Sequence, residues 1–400
     1  MSEYKKAGVD YSIMEPFKQA MIEVGKKTLL FPNRRGVYIN EDVLHSHGAV
    51  FEYRGGLPHL WAKTQEDLGN KNWIAEWMYQ NAPAGAADQR GFTHAPKFDV
   101  GAGADNRRTY YENIAIDTAL MPVNDVIAQG AMPVVFTDQI EASASEWYAD
   151  EKRAKDFASG LLKICEEVGM ALPAGESASV KYVVNPAPPV KMIAALSGCA
   201  TGIIAPKDRL ITGRNLKPGD HIIGAASSGI HANGMSLLIK RVLELPEQFL
   251  TKLSNGRTLG EEALIPTRSY VALIETLLEN NIRISALLPG TGDGVGKLAY
   301  DKRDFTYHIH SWPEVPQIFR FIQELGVPLQ DCLKTFNWGV GYYIFAPSEE
   351  AERVISLGKA VGYDLFDLGV VEEGKRQVIF EPFDKAQGKP EKIILPPPGE

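Results

Sequence analysis

The chain has 400 residues, more than one compact core usually holds, and its length predicts about two to three domains. Its 44% hydrophobic and 23% charged content is ordinary for a globular protein, and a net charge of −8 with no basic block argues against broad nucleic-acid binding. Cys165, Cys199 and Cys332 form no CxxC pair, which fits a reducing cytosol and a cytoplasmic protein. Met1–Lys6 is followed by no apolar run, so no signal peptide is expected, and the most apolar segment, 192–205, is too short to span a bilayer.

Ser12 is positioned to cap a helix carrying Met14, Phe17, Met21 and Val24, with Lys26 and Lys27 at its end. Residues 29–98 are rich in Gly, Asn, His and aromatics. They read as a loop-rich insertion, near 50–95, with one helix around Trp73–Tyr79. A buried helix follows over 113–129, where Pro122 marks a kink or break. Then come a strand at 132–136, an amphipathic helix at 150–168 ending at Gly169, and a strand near 192–204. Turn signals at Gly213 and Pro218-Gly219 place a boundary near 208. The alternation resumes with a strand at 221–226, a helix from 233 and a helical stretch over 261–280 containing Pro266. Helix 313–325, strand 340–345, helix 349–361 and strand 365–371 complete it. The Pro- and Gly-rich stretch 384–400 reads as a flexible tail. The division is therefore 1–28, 29–207, 208–383 and 384–400, with two similar-sized domains of α/β (α+β) class.

Several segments carry chemistry. Ser227-Ser228-Gly229-Ile230-His231-Ala232-Asn233-Gly234 lies between a strand and a helix, where small residues and free backbone N–H groups suit an anion. His231 there serves to donate to an anion or move a proton, although a plain turn with a surface histidine is an equally good reading of this run alone. Asp125, after Asn124, sits on an apolar helical face where a carboxylate needs a partner or a metal, unless the break at Pro122 leaves it capping or facing solvent. Asp99-Val100-Gly101-Ala102-Gly103-Ala104-Asp105, followed by Arg107 and Arg108, has the backbone and hard oxygens that a magnesium nucleotide needs; on its own it is equally a turn. Gly175-Glu176 offers a third acidic ligand or a general base, or a solvated strand exit. Thr291-Gly292-Asp293-Gly294-Val295-Gly296-Lys297 lacks the spacing of a P-loop. Thr335–Gly341 contains Asn337, suited to hold a loop or a ligand. His45/His47 and His308/His310 lack a third ligand and read as surface or packing residues.

Taken in order, these segments resemble the aminoimidazole ribonucleotide synthetase (phosphoribosylformylglycinamidine cyclo-ligase) family. The resemblance rests on Tyr4–Asp10, on Asn113–Asp117 through Val123–Asp125, and on Gln129–Pro133. It continues through Gly175-Glu176, Ser227–Gly234, Pro266-Thr267-Arg268 and Thr335–Gly341. It implies two α/β domains, a homodimer joined through the N-terminal sheets, and ATP with Mg²⁺ as cofactors. The substrate implied is formylglycinamidine ribonucleotide, activated by phosphorylation of its formamide oxygen as an iminophosphate. Under the same resemblance Asp99, Asp105 and Asp125 hold Mg²⁺, while His231, Asp125 and Glu176 are catalytic. Lys27, Gly101, Gly103, Asn124, Gly175, Ser228 and Gly229 meet ATP, and Asn233, Thr291, Gly292 and Asn337 meet the substrate. Nucleic acid and membrane are not expected as partners.

Overall fold

In a computed structural model, residues 5, 9–41, 48–82, 108–381, 383–384, 389–390 and 392–399 are described. Helix α1 (Tyr11–Thr28) is capped by Asp10, whose Oδ1 accepts the Ser12 N–H at 3.1 Å. The expected cap, Ser12, is therefore already inside the helix. A hairpin of β1 (Val37–Ile39) and β2 (Phe51–Tyr53) follows, then β3 (Leu60–Asp67) and helix α2 (Lys71–Asn81).

The stretch expected to be a loop-rich insertion thus supplies a strand of the main N-terminal sheet. That sheet has the order β3-β6-β4-β5, with β4 Met132–Ala142, β5 Ala171–Ser179 and β6 Ala194–Ile204. Strand β3 is an edge strand, exposed at every second residue. Its sequence, Leu-Trp-Ala-Lys-Thr-Gln-Glu-Asp, has too little apolar alternation to announce itself. Strand β5 is equally quiet, since seven of its nine residues are Ala, Gly, Ser or Pro, which carry little strand propensity.

Helix α3 (Tyr111–Val126) packs on β3 and β6, and α4 (Glu151–Val168) packs beside it. Pro122 does not break α3. Its carbonyl accepts the Thr64 hydroxyl at 2.8 Å, which ties the end of the helix to β3. Asp150 caps α4, and left-handed Gly169 ends it.

The second sheet has seven strands in the order Ile393–Leu395, β12, β9, β11, β7, β10, β8. These are β7 Asp220–Ala226, β8 Ala286–Pro289, β9 Phe305–Ile309, β10 Val340–Pro347, β11 Leu365–Glu373 and β12 Gln377–Phe380. The parallel pair is β12 with β9; the other neighbours run antiparallel. Residues 393–395 are not the free tail expected, since they pair with β12 and Leu395 is fully buried. The helices of this half are α5 (Met235–Val242), α6 (Leu259–Ala263), α7 (Val271–Glu279), α8 (Gln317–Glu324), α9 (Leu329–Thr335) and α10 (Ser348–Ala360). The single helix expected over 261–280 is split, and Pro266 lies in the connection between α6 and α7. One hydrophobic core runs continuously through both halves.

Candidate active site

Three segments of the C-terminal half meet at one end of its sheet. The Ser227 N–H donates to the Gly339 carbonyl at 2.9 Å, and the Asn337 amide donates to the Gly229 carbonyl at 2.9 Å. The Gly290 N–H donates to the Gly341 carbonyl at 2.9 Å. The loops 227–234, 290–297 and 335–341 therefore form one wall. Gly341 has to be glycine, because a methyl group there would fall 2.0 Å from the Tyr270 hydroxyl and 2.5 Å from His231 Cε1.

His231 occupies the left-handed region, with φ 59°, and is 4% exposed. Burial, with Lys71 and Arg268 nearby, pushes its pKa down to about 3. Its Nε2 faces the Ser228 N–H at 3.3 Å as an acceptor, so the ring is neutral with its proton on Nδ1. In this arrangement His231 holds the turn and carries no charge with which to meet an anion. The Ser228 hydroxyl is likewise engaged, donating to the Pro266 carbonyl at 2.6 Å. Ser227 Oγ and Asn233 Oδ1 are different: both are buried without a hydrogen-bond partner among the described residues.

The facing wall comes from the N-terminal half. Strand β3 ends at Glu66 and Asp67, and the Asp67 carboxylate accepts the Gly69 N–H at 2.6 Å in a tight turn. Asn70 then donates to the Ser236 hydroxyl at 2.9 Å, which joins this turn to the start of α5. Asp125, in the last turn of α3, lies within hydrogen-bond reach of Glu66, and its Oδ1 is buried without a hydrogen-bond partner among the described residues. Burial raises its pKa to about 6; Lys297 across the cleft opposes that shift and Glu66 adds to it. The Lys297 ammonium donates to the Thr291 hydroxyl, and burial lowers its pKa against the pull of Asp125, Asp293 and Glu66.

Below this cleft Lys71 forms a fully buried ion pair with Asp117 at 2.8 Å and donates to the Ile265 carbonyl at 2.7 Å. Asp117 Oδ1 also accepts the Thr267 N–H at 2.7 Å and its hydroxyl at 2.5 Å. Burial raises Asp117 and lowers Lys71, and their mutual attraction opposes both shifts. The Pro266-Thr267-Arg268 segment is thus held by a carboxylate from α3.

The residues singled out from the sequence divide clearly. Asp125, Asn233, Thr291 and Gly292 line or adjoin the cleft, with open space around Gly292. Asn124 and Asn337 spend their side chains inside the protein. Asn124 donates to the Arg268 carbonyl and accepts the Tyr270 N–H, and Asn337 Oδ1 accepts the Gly339 N–H. Gly175 and Glu176 are exposed on β5, at the sheet edge opposite β3. The register runs Glu66, Gly198, Asp138, Gly175, three strand spacings or ~14 Å. Within this chain Glu176 does not join Asp125; Glu66 does. Gly175 instead leaves room for Asp138, whose Oδ1 would lie 2.0 Å from an added methyl group. Lys27 is exposed in the last turn of α1. Asp99, Gly101, Gly103, Asp105, Arg107, His45 and His47 lie outside the described residues, while Arg108 stacks over Tyr110. His308 Nδ1 lies 3.1 Å from a Glu372 carboxylate oxygen.

Sequence reading missed Glu66, Lys71, Asp117, Thr267 and Lys297 as site residues. The signal for Lys71 was available: a lysine opening a helix immediately after the Asp67–Asn70 turn.

The family description "AIR synthase related protein, N-terminal domain" matches residues 91–197, and the corresponding C-terminal domain matches 217–381. A phosphoribosylformylglycinamidine cyclo-ligase of Pyrococcus horikoshii is 36% identical over 93% of this chain and 95% of its own length. The Pyrococcus furiosus enzyme of the same name is 32% identical over 93% and 96%. The chain belongs to the phosphoribosylformylglycinamidine cyclo-ligase family. Among solved structures, a hydrogenase maturation protein HypE shares the fold at TM-score 0.58 and 18% identity, covering 93% of this chain and 98% of its own. A thiamine-monophosphate kinase from Stenotrophomonas maltophilia does so at TM-score 0.56 and 16% identity, covering 89% and 93%. Among the described residues, no helix is long and apolar enough to cross a membrane.

Proposed function

We propose that this protein is an ATP-dependent cyclo-ligase that converts formylglycinamidine ribonucleotide to aminoimidazole ribonucleotide. The observation that carries the reading is the cleft of a cyclo-ligase family member in which the Glu66 and Asp125 carboxylates of one half face three Gly-rich loops of the other. In the reaction the formamide oxygen takes the γ-phosphoryl group and ADP leaves. An internal nitrogen then attacks the activated carbon, phosphate departs with the former formamide oxygen, and one proton is lost as the ring closes.

Mg²⁺ fits the donor set, because orphaned Asp125 Oδ1 and the adjoining Glu66 are hard oxygen ligands. Bound there, the ion would neutralise charge on the triphosphate. Asp99 and Asp105 remain proposed as further ligands, and Gly101 and Gly103 as a phosphate cradle. Gly229 and Gly292 allow close backbone approach, while Ser227 and Asn233 offer buried polar atoms to the substrate.

The exposed apolar residues Val50, Leu57, Leu60 and Trp61 around β3 support a homodimer through the N-terminal sheet, which light scattering would test. The reading includes a cytoplasmic location. The central experiment supplies purified protein with formylglycinamidine ribonucleotide and Mg·ATP and follows aminoimidazole ribonucleotide and ADP together. Equal release of both supports the reading, and no product where a reference cyclo-ligase works refutes it.

A further inference from the structure

The loop Thr291–Lys297 carries a cation that the sequence motifs did not assign. We infer that Lys297 is a phosphate-binding residue that meets the terminal phosphoryl group of the nucleotide, opposite Glu66 and Asp125. The inference rests on the nucleotide reading above and adds a residue to it.

Backbone packing fixes where this lysine stands. Gly294 has φ 56°, and a methyl group there would fall 2.4 Å from the Leu333 carbonyl and 2.7 Å from the Phe336 carbonyl. The loop is therefore pressed against the end of α9 and the start of its link to β10. Lys297 follows three residues later, on the turn that leaves this contact, with its side chain half-buried. An ammonium group has three protons to donate, and the hydrogen bond described for this one goes to Thr291.

The surrounding charge is arranged for a third party. Asp125, Asp293 and Glu66 all act on Lys297, yet no carboxylate among the described residues pairs with it within 4.0 Å. Asp125 Oδ1, on the opposite wall, is buried and also lacks a partner among the described residues. Opposite charges held near each other in a half-dry cleft, but not joined, are costly unless a ligand completes them. A phosphoryl group carrying a divalent cation does so in one orientation: the cation against the carboxylates and a phosphoryl oxygen against Lys297. Because the carboxylates belong to the N-terminal half and Lys297 to the C-terminal half, this contact also ties the two walls together. The cleft could present the same cation to a sugar phosphate, so the test separates the two sources.

Calorimetric binding of Mg·ATP, Mg·ADP and ribose 5-phosphate would be measured on the wild type, Lys297→Met and Lys297→Arg. Thermal unfolding would confirm that each variant is folded. Lys297→Met is expected to weaken Mg·ATP by about tenfold or more while leaving Mg·ADP within about twofold. Lys297→Arg, which keeps the charge, is expected to retain most of the preference for ATP and to carry the test if Lys297→Met does not fold. Equal weakening of ATP and ADP, or no change in either, would overturn the assignment. Loss of ribose 5-phosphate binding with ATP binding intact would also overturn it. A wild type that binds neither nucleotide would sink the nucleotide reading itself.

Discussion

Glu76 and Asp125 sit on adjacent helices, α2 and α3, and have opposite surroundings. Glu76 is 1% exposed and fully engaged. Its Oε1 accepts the Tyr111 hydroxyl at 2.6 Å and the Trp147 indole N–H at 2.8 Å, and its Oε2 pairs with Arg153 at 3.0 Å. Asp125 has a buried oxygen with no partner among the described residues, and the Lys297 cation acts on it from the other half. A carboxylate engaged at both oxygens, as Glu76 is, specifies a core, whereas one with an unengaged oxygen leaves interaction energy for a ligand. The contrast separates carboxylates that hold the N-terminal half together from carboxylates available for chemistry.

Breaking the Glu76–Arg153 pair should have the largest effect. Arg153→Met strands a buried carboxylate and the Trp147 carbonyl that Arg153 also serves at 2.7 Å. A loss of about 3–5 kcal/mol is expected in urea unfolding, with turnover per folded molecule unchanged. A loss below about 1 kcal/mol would mean that Glu76 is not committed to structure.

Asp125→Asn should act in the reverse sense. Turnover is expected to fall by about 100-fold, equivalent to ~2.7 kcal/mol, in a steady-state ADP-release assay. Stability should be kept or raised, since the amide has no charge to desolvate. Normal turnover would remove Asp125 from the site.

The two regions were unequally legible in the sequence. Helices α1, α4 and α10 and strands β7, β10 and β11 show their period or their apolar runs plainly, and they set the α/β class. The glycine loops of the C-terminal wall were also visible, because a wall built from backbone must be written in Gly, Ser and Asn. The acidic wall was half visible. Asp125 stood out as a charge on an apolar helix, whereas Glu66 lies on a polar edge strand with no pattern to mark it. Glu176 was singled out for its glycine neighbour, and strand order then placed it at the opposite edge of the sheet. Pairings such as Lys71 with Asp117 join residues 46 positions apart, and no local period encodes them.

A third carboxylate refines the comparison by pH. Asp138, 7% exposed, makes no ion pair among the described residues, and burial raises its pKa to about 7, with Glu176 adding to the shift. The native state therefore keeps a proton that the unfolded chain loses near pH 4. Stability should fall as pH rises from about 4 to 7 and then level off. Asp138→Asn should lack that slope, gaining about 2 kcal/mol on the wild type between pH 5 and 8. Parallel stability curves for the two proteins would show that Asp138 is ionised in the fold.

The smallest effect tests what aligns the open pair. Thr64 lies on β3 two residues before Glu66, and its hydroxyl donates to the Pro122 carbonyl three residues before Asp125. This one hydrogen bond thus links the strand that bears one carboxylate to the helix that bears the other. Valine matches threonine in shape but cannot donate, so Thr64→Val leaves the Pro122 carbonyl short of a partner and should cost about 1 kcal/mol. If the bond served stability alone, turnover would be unchanged at temperatures where the variant is folded. If it sets the spacing of Glu66 and Asp125, the Mg²⁺ concentration needed for half-maximal turnover should rise by about threefold, and Thr64→Ser should restore it.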